Sequence, residues 1–210
     1  MEVTTVGATT ACKDWNLSYG GGLIQDIKEF SRLRNTMPGP IGMTSGGFDP
    51  IHPGHITSII HASRLLWTKR QTMNCKPRLV VVVNGDGFLR EKKGREFLDL
   101  KTRCQIVSGI RGVDVVIPFE AEAEDNTVIK AIEAIAPQYF FKGGDRNGIE
   151  TIPEWEVCKK LGTQIITNVG SDKSWSSSTI LTRWEDPIRD YISELETELE
   201  DLGWKGSIES

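Results

Sequence analysis

The apolar residues of this chain change their period several times, and the changes mark out its elements. From residue 41 onward, short β-branched or aromatic runs alternate with stretches spaced for helix. Ile41–Thr44 predicts a short strand ending in Ser45-Gly46-Gly47. Gly54–Trp67 carries Ile56, Ile59, Ile60, Leu65 and Leu66 at helical intervals. Leu79–Val83 is apolar throughout and closes on Asn84-Gly85-Asp86-Gly87. A run apolar on both faces predicts a central strand of a parallel sheet, covered by helices on each side. Lys101–Ile110 predicts a helix, Val113–Phe119 a strand, and Asn126–Ile135 a helix with Asn126 as its N-cap. Tyr139–Phe141 is another short strand, leading into Lys142-Gly143-Gly144-Asp145. Pro153–Leu161 predicts a helix, Gln164–Val169 a strand, and a further helix begins at Ser176.

About five strands alternating with helices predict an α/β fold, a doubly wound, Rossmann-like parallel sheet with helices on both faces, over residues 41–184. Residues 1–40 read as an N-terminal extension. Its polar start leads through Gly20-Gly21-Gly22 to a helix-like stretch, Leu23–Leu33, and a hinge at Met37-Pro38-Gly39-Pro40. Residues 185–210 read as a C-terminal amphipathic helix. Ile188, Tyr191, Ile192, Leu195, Leu199 and Leu202 form its apolar stripe, which predicts packing on the body or on a sister subunit.

Composition narrows the function. With 38% hydrophobic and 26% charged residues among 210, and a mean hydropathy of -0.28, the chain has the balance of a soluble globular protein. No stretch reaches the roughly 18 apolar residues of a membrane span, and the first thirty residues show no secretory signal. A cytoplasmic protein with no membrane partner is expected. The four cysteines form no CxxC pair, so free thiols are expected and no metal site. The formal net charge is -4, which disfavours nucleic acid as the main ligand while leaving room for a small polyanion in a local basic pocket.

The densest chemistry lies in Gly46-Gly47-Phe48-Asp49-Pro50-Ile51-His52-Pro53-Gly54-His55. Glycines at 46 and 47 let backbone approach a ligand closely. Gly54 and His55 open a helix whose free amides favour anions. Imidazoles placed there can donate to phosphate oxygens. Two nitrogens alone do not make a zinc site. Near the other end, the hydroxyls of Ser176, Ser177, Ser178 and Thr179 sit at a helix start, where they can cap it and bind phosphate. A basic run, Arg90–Arg95, follows the central strand as a loop that would overhang such a site.

Gly47-Phe48-Asp49 followed by His52-Pro53-Gly54-His55 resembles the signature of the cytidylyltransferase-like nucleotidyltransferase superfamily. Its members join a nucleoside monophosphate to a phosphorylated acceptor and release pyrophosphate. The resemblance implies that His52 and His55 bind and stabilise the reacting triphosphate, with Gly47, Phe48, Asp49 and Gly54 around the nucleotide. Ser176–Ile180 resembles the family's Ile-Ser-Ser-Thr motif, which holds the β and γ phosphates. The best register sets Ser178 where the family has Thr, and Leu181 where many members carry arginine; a one-residue shift uses Ser177, Ser178 and Thr179. Lys92 or Lys93 corresponds to a phosphate-contacting lysine, and Arg103 to an arginine facing the acceptor phosphate. Lys142-Gly143-Gly144-Asp145-Arg146 resembles the Lys-Gly-Gly-Asp-Tyr of the adenylyltransferase domain of ADP-heptose synthases, which implies a role in binding the acceptor. The cytidylyl members' Arg-Thr-Glu-Gly run is replaced here by Gly170–Ser174.

The expected function is transfer of a nucleoside monophosphate from ATP or CTP to a sugar or polyol phosphate. Mg2+ is expected on the phosphates, and the resemblance with the apolar terminal helix implies a homodimer. The alternatives are an adenylyltransferase of the nicotinate-mononucleotide type, and a nucleotide-binding module without turnover.

Overall fold

The computed structural model describes residues 22–37, 39–70, 75–121, 125, 127–143, 149–170 and 176–202. Its strands are β1 (Leu23–Ile24), β2 (Ile41–Gly46), β3 (Arg78–Asn84), β4 (Val115–Phe119), β5 (Tyr139–Phe141) and β6 (Gln164–Ile166). Its helices are α1 (Ile27–Leu33), α2 (Pro53–Thr68), α3 (Asp86–Lys93), α4 (Leu100–Ser108), α5 (Ile129–Ile135), α6 (Trp155–Leu161) and α7 (Ser177–Asp201). The five valine and leucine positions of β3, Leu79–Val83, are wholly inaccessible, as their two-faced pattern predicts. Leu79, Val81 and Val83 face the α2 and α4 side with Ile59, Leu66, Cys104 and Val107. Val80 and Val82 face the α1, α5 and α6 side with Phe30, Ile132, Ile135 and Val157. The period of two thus divides one apolar run between two cores.

All six strands are parallel, in the order β1-β4-β3-β2-β5-β6. From β2 the chain moves outward through β3 to β4, then returns to lay β5 on the other side of β2. The loops after β2, β3 and β5 therefore meet at the reversal of strand order, where doubly wound sheets hold ligands.

The expected count of about five strands becomes six because the N-terminal extension supplies one. Leu23 and Ile24 are not the start of a helix but a strand paired with Val115 and Val116. The helix begins only at Ile27, because the Asp26 carboxylate accepts from the amides of Lys28 and Glu29 at 2.9 and 3.2 Å and fixes the N-cap there. Phe30 then enters the core with no exposure. The basic run is likewise not a loop. Arg90, Lys92 and Lys93 form the last turn of α3, which stops at Gly94, whose φ of +81° suits glycine.

The last two expected helices are one. α7 runs through Pro187, and Ser177 is its single buried residue among those described. Ile188 is 49% exposed, Tyr191 60% and Leu202 83%, and no residue of the apolar stripe is buried, so the stripe does not pack on the body. Both faces of the sheet are already covered by α1, α5 and α6 and by α2 and α4.

Candidate active site

The chain leaves β2 with its backbone turned at Phe48, whose φ is +54°. It enters α2 through His52, which is extended and caps the helix, with Pro53 in the first turn. The His52 Nδ1 accepts the Gly54 amide at 3.1 Å. That bond requires an unprotonated Nδ1, so neutral His52 carries its proton on Nε2. His55, three residues on, lies on the same helical face. Its ring stacks on His52, with centroids 3.7 Å apart, and meets the edge of Phe48 at 5.1 Å. The buried Nδ1 of His55 has no hydrogen-bond partner.

Burial is the main cause holding His55 down to a pKa of about 4, with the neighbouring charges of His52 and Lys93 adding to it. His52 is lowered by burial and then by Lys93. Both rings are therefore neutral at pH 7, each with one N–H to donate.

Two other strand ends complete the site. After β3, α3 brings Lys92 and Lys93 toward the histidines. The Lys93 ammonium donates to the Asp49 carbonyl at 2.9 Å, and its pKa is lowered chiefly by burial. After β5, Lys142 pairs with the Glu154 carboxylate at 3.2 Å. From the far end of the sequence, Ser177 Oγ donates to the Pro50 carbonyl at 3.0 Å, pinning the start of α7 to the histidine loop. Ser176 caps α7 by accepting the Thr179 amide at 3.0 Å. α2 is tied to the chain after β6 through Ser58 Oγ donating to the Val169 carbonyl at 2.8 Å, and through the Gly170 amide donating to His61 Nδ1 at 3.1 Å.

These elements enclose a cavity of about 610 Å³. Of the residues expected from sequence, Gly47, Phe48, His52, Gly54, His55, Lys92, Lys93, Lys142, Gly143, Ser176, Ser177 and Ser178 line it. Gly144 and Asp145 lie outside the described residues. Three expected ligand groups are placed elsewhere. Asp49 is buried, and its carboxylate accepts the amides of Phe97 and Leu98 at 2.7 and 2.8 Å. Arg103 has no exposed surface. Its guanidinium donates to the carbonyls of Leu98, Gly47 and Asn84 at 2.9, 2.7 and 2.6 Å and pairs with Asp86 at 2.6 Å, so it braces the loop rather than facing an acceptor. Thr179 spends its amide and hydroxyl on Ser176.

Sequence reasoning missed Ser58, Asn84, Phe88, Val128, Pro153 and Glu154 on the wall. Ser58 had a signal, since it follows His55 by one helical turn. Asn84 had another, at the end of the central strand. Glu154 had none. The unpartnered buried side-chain atoms among the described residues are His55 Nδ1, Asn84 Oδ1 and Glu154 Oε2, and all three belong to residues of this one cavity. Such atoms are costly unless something binds them.

Residues 43–183 match the cytidylyltransferase-like family. The chain belongs to that family. It is 31% identical to the bifunctional protein HldE of Histophilus somni over 172 residues, 80% of this chain and 32% of that protein. HldE of Actinobacillus pleuropneumoniae serotype 5b is 35% identical over 130 residues, 61% of this chain and 24% of that one. The chain thus spans about a third or less of the length of these curated relatives. Its fold is shared with a lipopolysaccharide core biosynthesis protein from Thermoplasma volcanium, at a TM-score of 0.50 and 24% identity, covering 63% of this chain and 98% of that one. Among the described residues, no helix is long and apolar enough to cross a membrane.

Proposed function

We propose that this family member is a nucleotidyltransferase that moves a nucleoside monophosphate from a triphosphate to a phosphorylated sugar or polyol. The observation that carries the reading is the meeting of His52, His55 and Ser176–Ser178 on one cavity, although more than 120 positions separate the two groups in sequence. An acceptor phosphate oxygen attacks the α-phosphorus, and the bond to the departing pyrophosphate breaks in line. No covalent intermediate with the protein is needed, and positioning with charge neutralisation suffices. The neutral imidazoles donate to the phosphate oxygens, where negative charge grows in the transition state. The serine hydroxyls and the first amides of α7 hold the β and γ phosphates. Lys92 and Lys93 add positive charge beside them.

Magnesium is proposed to enter with the triphosphate and to neutralise its charge. The described residues include no cluster of three or more His, Cys, Asp or Glu, and the cavity's one described carboxylate, Glu154, is already tied to Lys142. A site of that kind leaves coordination to phosphate and water. The similarity to HldE supports a sugar-phosphate acceptor.

The test is pyrophosphate release with magnesium and ATP or CTP against phosphorylated sugars, polyols and nicotinate mononucleotide. Release that depends on a sugar or polyol phosphate supports the reading. Turnover with nicotinate mononucleotide alone contradicts its acceptor class. Tight nucleotide binding without turnover on any acceptor contradicts catalysis.

A further inference from the structure

The two ends of the cavity differ in charge. On the β3 side stand Lys92 and Lys93, with no carboxylate among the described lining residues there. On the β5 side stands Glu154, 4% exposed, with one oxygen on Lys142 and the other, Oε2, buried and unpartnered. A phosphorylated acceptor is anionic and is attracted to the first end. Beside Glu154 it would meet a buried negative group balanced by a single lysine, which disfavours a second anion.

Glu154 also departs from its local structural role. It occupies the N-cap position of α6 but makes no side-chain bond to that helix's free amides. Its carboxylate is paired with Lys142 instead, and the residue lines the cavity. Buried Val128 and Val169, and Pro153 just before Glu154, belong to the same cavity wall. A carboxylate oxygen can only accept hydrogen bonds. The Glu154 charge is already balanced by Lys142, so the missing partner is a donor carried on a neutral group.

We infer that Glu154 is a specificity-determining residue that accepts a hydrogen bond from the exocyclic amine of the nucleobase. The site then selects adenine or cytosine over bases with a carbonyl at the same position. This rests on the nucleotidyltransferase reading, and it places Lys142 and Gly143 at the base end rather than with the acceptor. The Lys142 ammonium, a pure donor, keeps one Glu154 oxygen as an acceptor. In Glu154→Gln the amide oxygen faces Lys142, and the NH2 group stands where Oε2 stood. The cavity's demand at that point changes from a donor to an acceptor.

Two isosteric pairs read this out: ATP with inosine triphosphate, and CTP with uridine triphosphate, since each pair exchanges an amine for a carbonyl. Dissociation constants with magnesium are measured for the wild type and for Glu154→Gln, with thermal melting to confirm that both fold. The wild type is expected to prefer the amine member of its better-bound pair by roughly 10- to 100-fold, and Glu154→Gln to abolish or reverse that preference. An equal loss for all four nucleotides in Glu154→Gln overturns the inference and leaves the enzyme reading standing. So does a wild type that binds both members of each pair alike while losing affinity for 2′-deoxy- or 3′-deoxy-ATP, because the donor is then a ribose hydroxyl. A wild type that binds no triphosphate overturns both.

Discussion

Two polar regions lie side by side under the loop after β2, and they are built on opposite plans. In the first, Asp49 and Arg103 are buried and closed on each other's surroundings. Asp49 accepts two amides of the 97–98 segment, and Arg103 donates to three carbonyls and Asp86. In the second, His55, Asn84 and Glu154 each keep a buried atom without a partner. Asp49 and His55 are six positions apart, yet the first is satisfied by protein and the second keeps a buried atom open. A charged residue in a recognised motif is thus not by itself a ligand. Its open valences decide.

The largest expected effect breaks the closed region. Arg103→Ala leaves the Asp86 carboxylate and three carbonyls short of donors and is expected to cost about 3–5 kcal/mol of stability in urea unfolding. A variant as stable as the wild type that has lost only acceptor affinity would return Arg103 to the binding site. Nearly as large is the effect in the open region. His55→Ala, still folded by circular dichroism, is expected to lose roughly 100- to 1,000-fold in pyrophosphate release, about 3–4 kcal/mol on the barrier. Near-normal turnover would contradict the role given to this ring.

The same comparison can be sharpened with pH. His55 titrates near 4 in the folded protein and near 6.5 when unfolded. Between those values the unfolded chain binds the extra proton, so this ring's contribution to stability is complete above pH 6.5 and is lost as the pH falls toward 4. The loss is at most about 3 kcal/mol. Unfolding measured from pH 7 to 4 is expected to show it in the wild type and less of it in His55→Gln. An unchanged slope in the variant would place the titration elsewhere. The smallest effect concerns the tether between regions: Ser177→Ala removes the bond to the Pro50 carbonyl and is expected to cost about 1 kcal/mol of stability while weakening triphosphate binding. Stability loss with unaltered binding would make that hydroxyl purely structural.

Much of this arrangement was legible in the residues themselves. The two-faced Leu79–Val83 run marked the centre of a parallel sheet, and the histidines, serines and Lys142 all followed strands or opened helices on its carboxyl edge. What escaped was set by partners distant in sequence. A two-residue strand such as Leu23–Ile24 has no period of its own and exists because Val115 and Val116 lie beside it. Arg103 looks the same on paper whether it faces solvent phosphate or three carbonyls. Glu154 gives no local hint, because its meaning comes from its ion pair with Lys142 at the end of β5 and from failing to cap its own helix. The helix expected over residues 185–210 is the continuation of the one that starts at Ser177, because α7 runs through Pro187.

The most direct measurement is the rise in melting temperature that ATP or CTP with magnesium produces in the wild type, in His52→Ala with His55→Ala, and in Ser176→Ala with Ser178→Ala. A ligand that binds the native state must stabilise it. If histidines and serines grip the same triphosphate, each pair of substitutions should sharply reduce the rise given by the triphosphate, and the serine pair should spare the rise given by the nucleoside monophosphate. A full triphosphate response in either double variant would contradict a shared site.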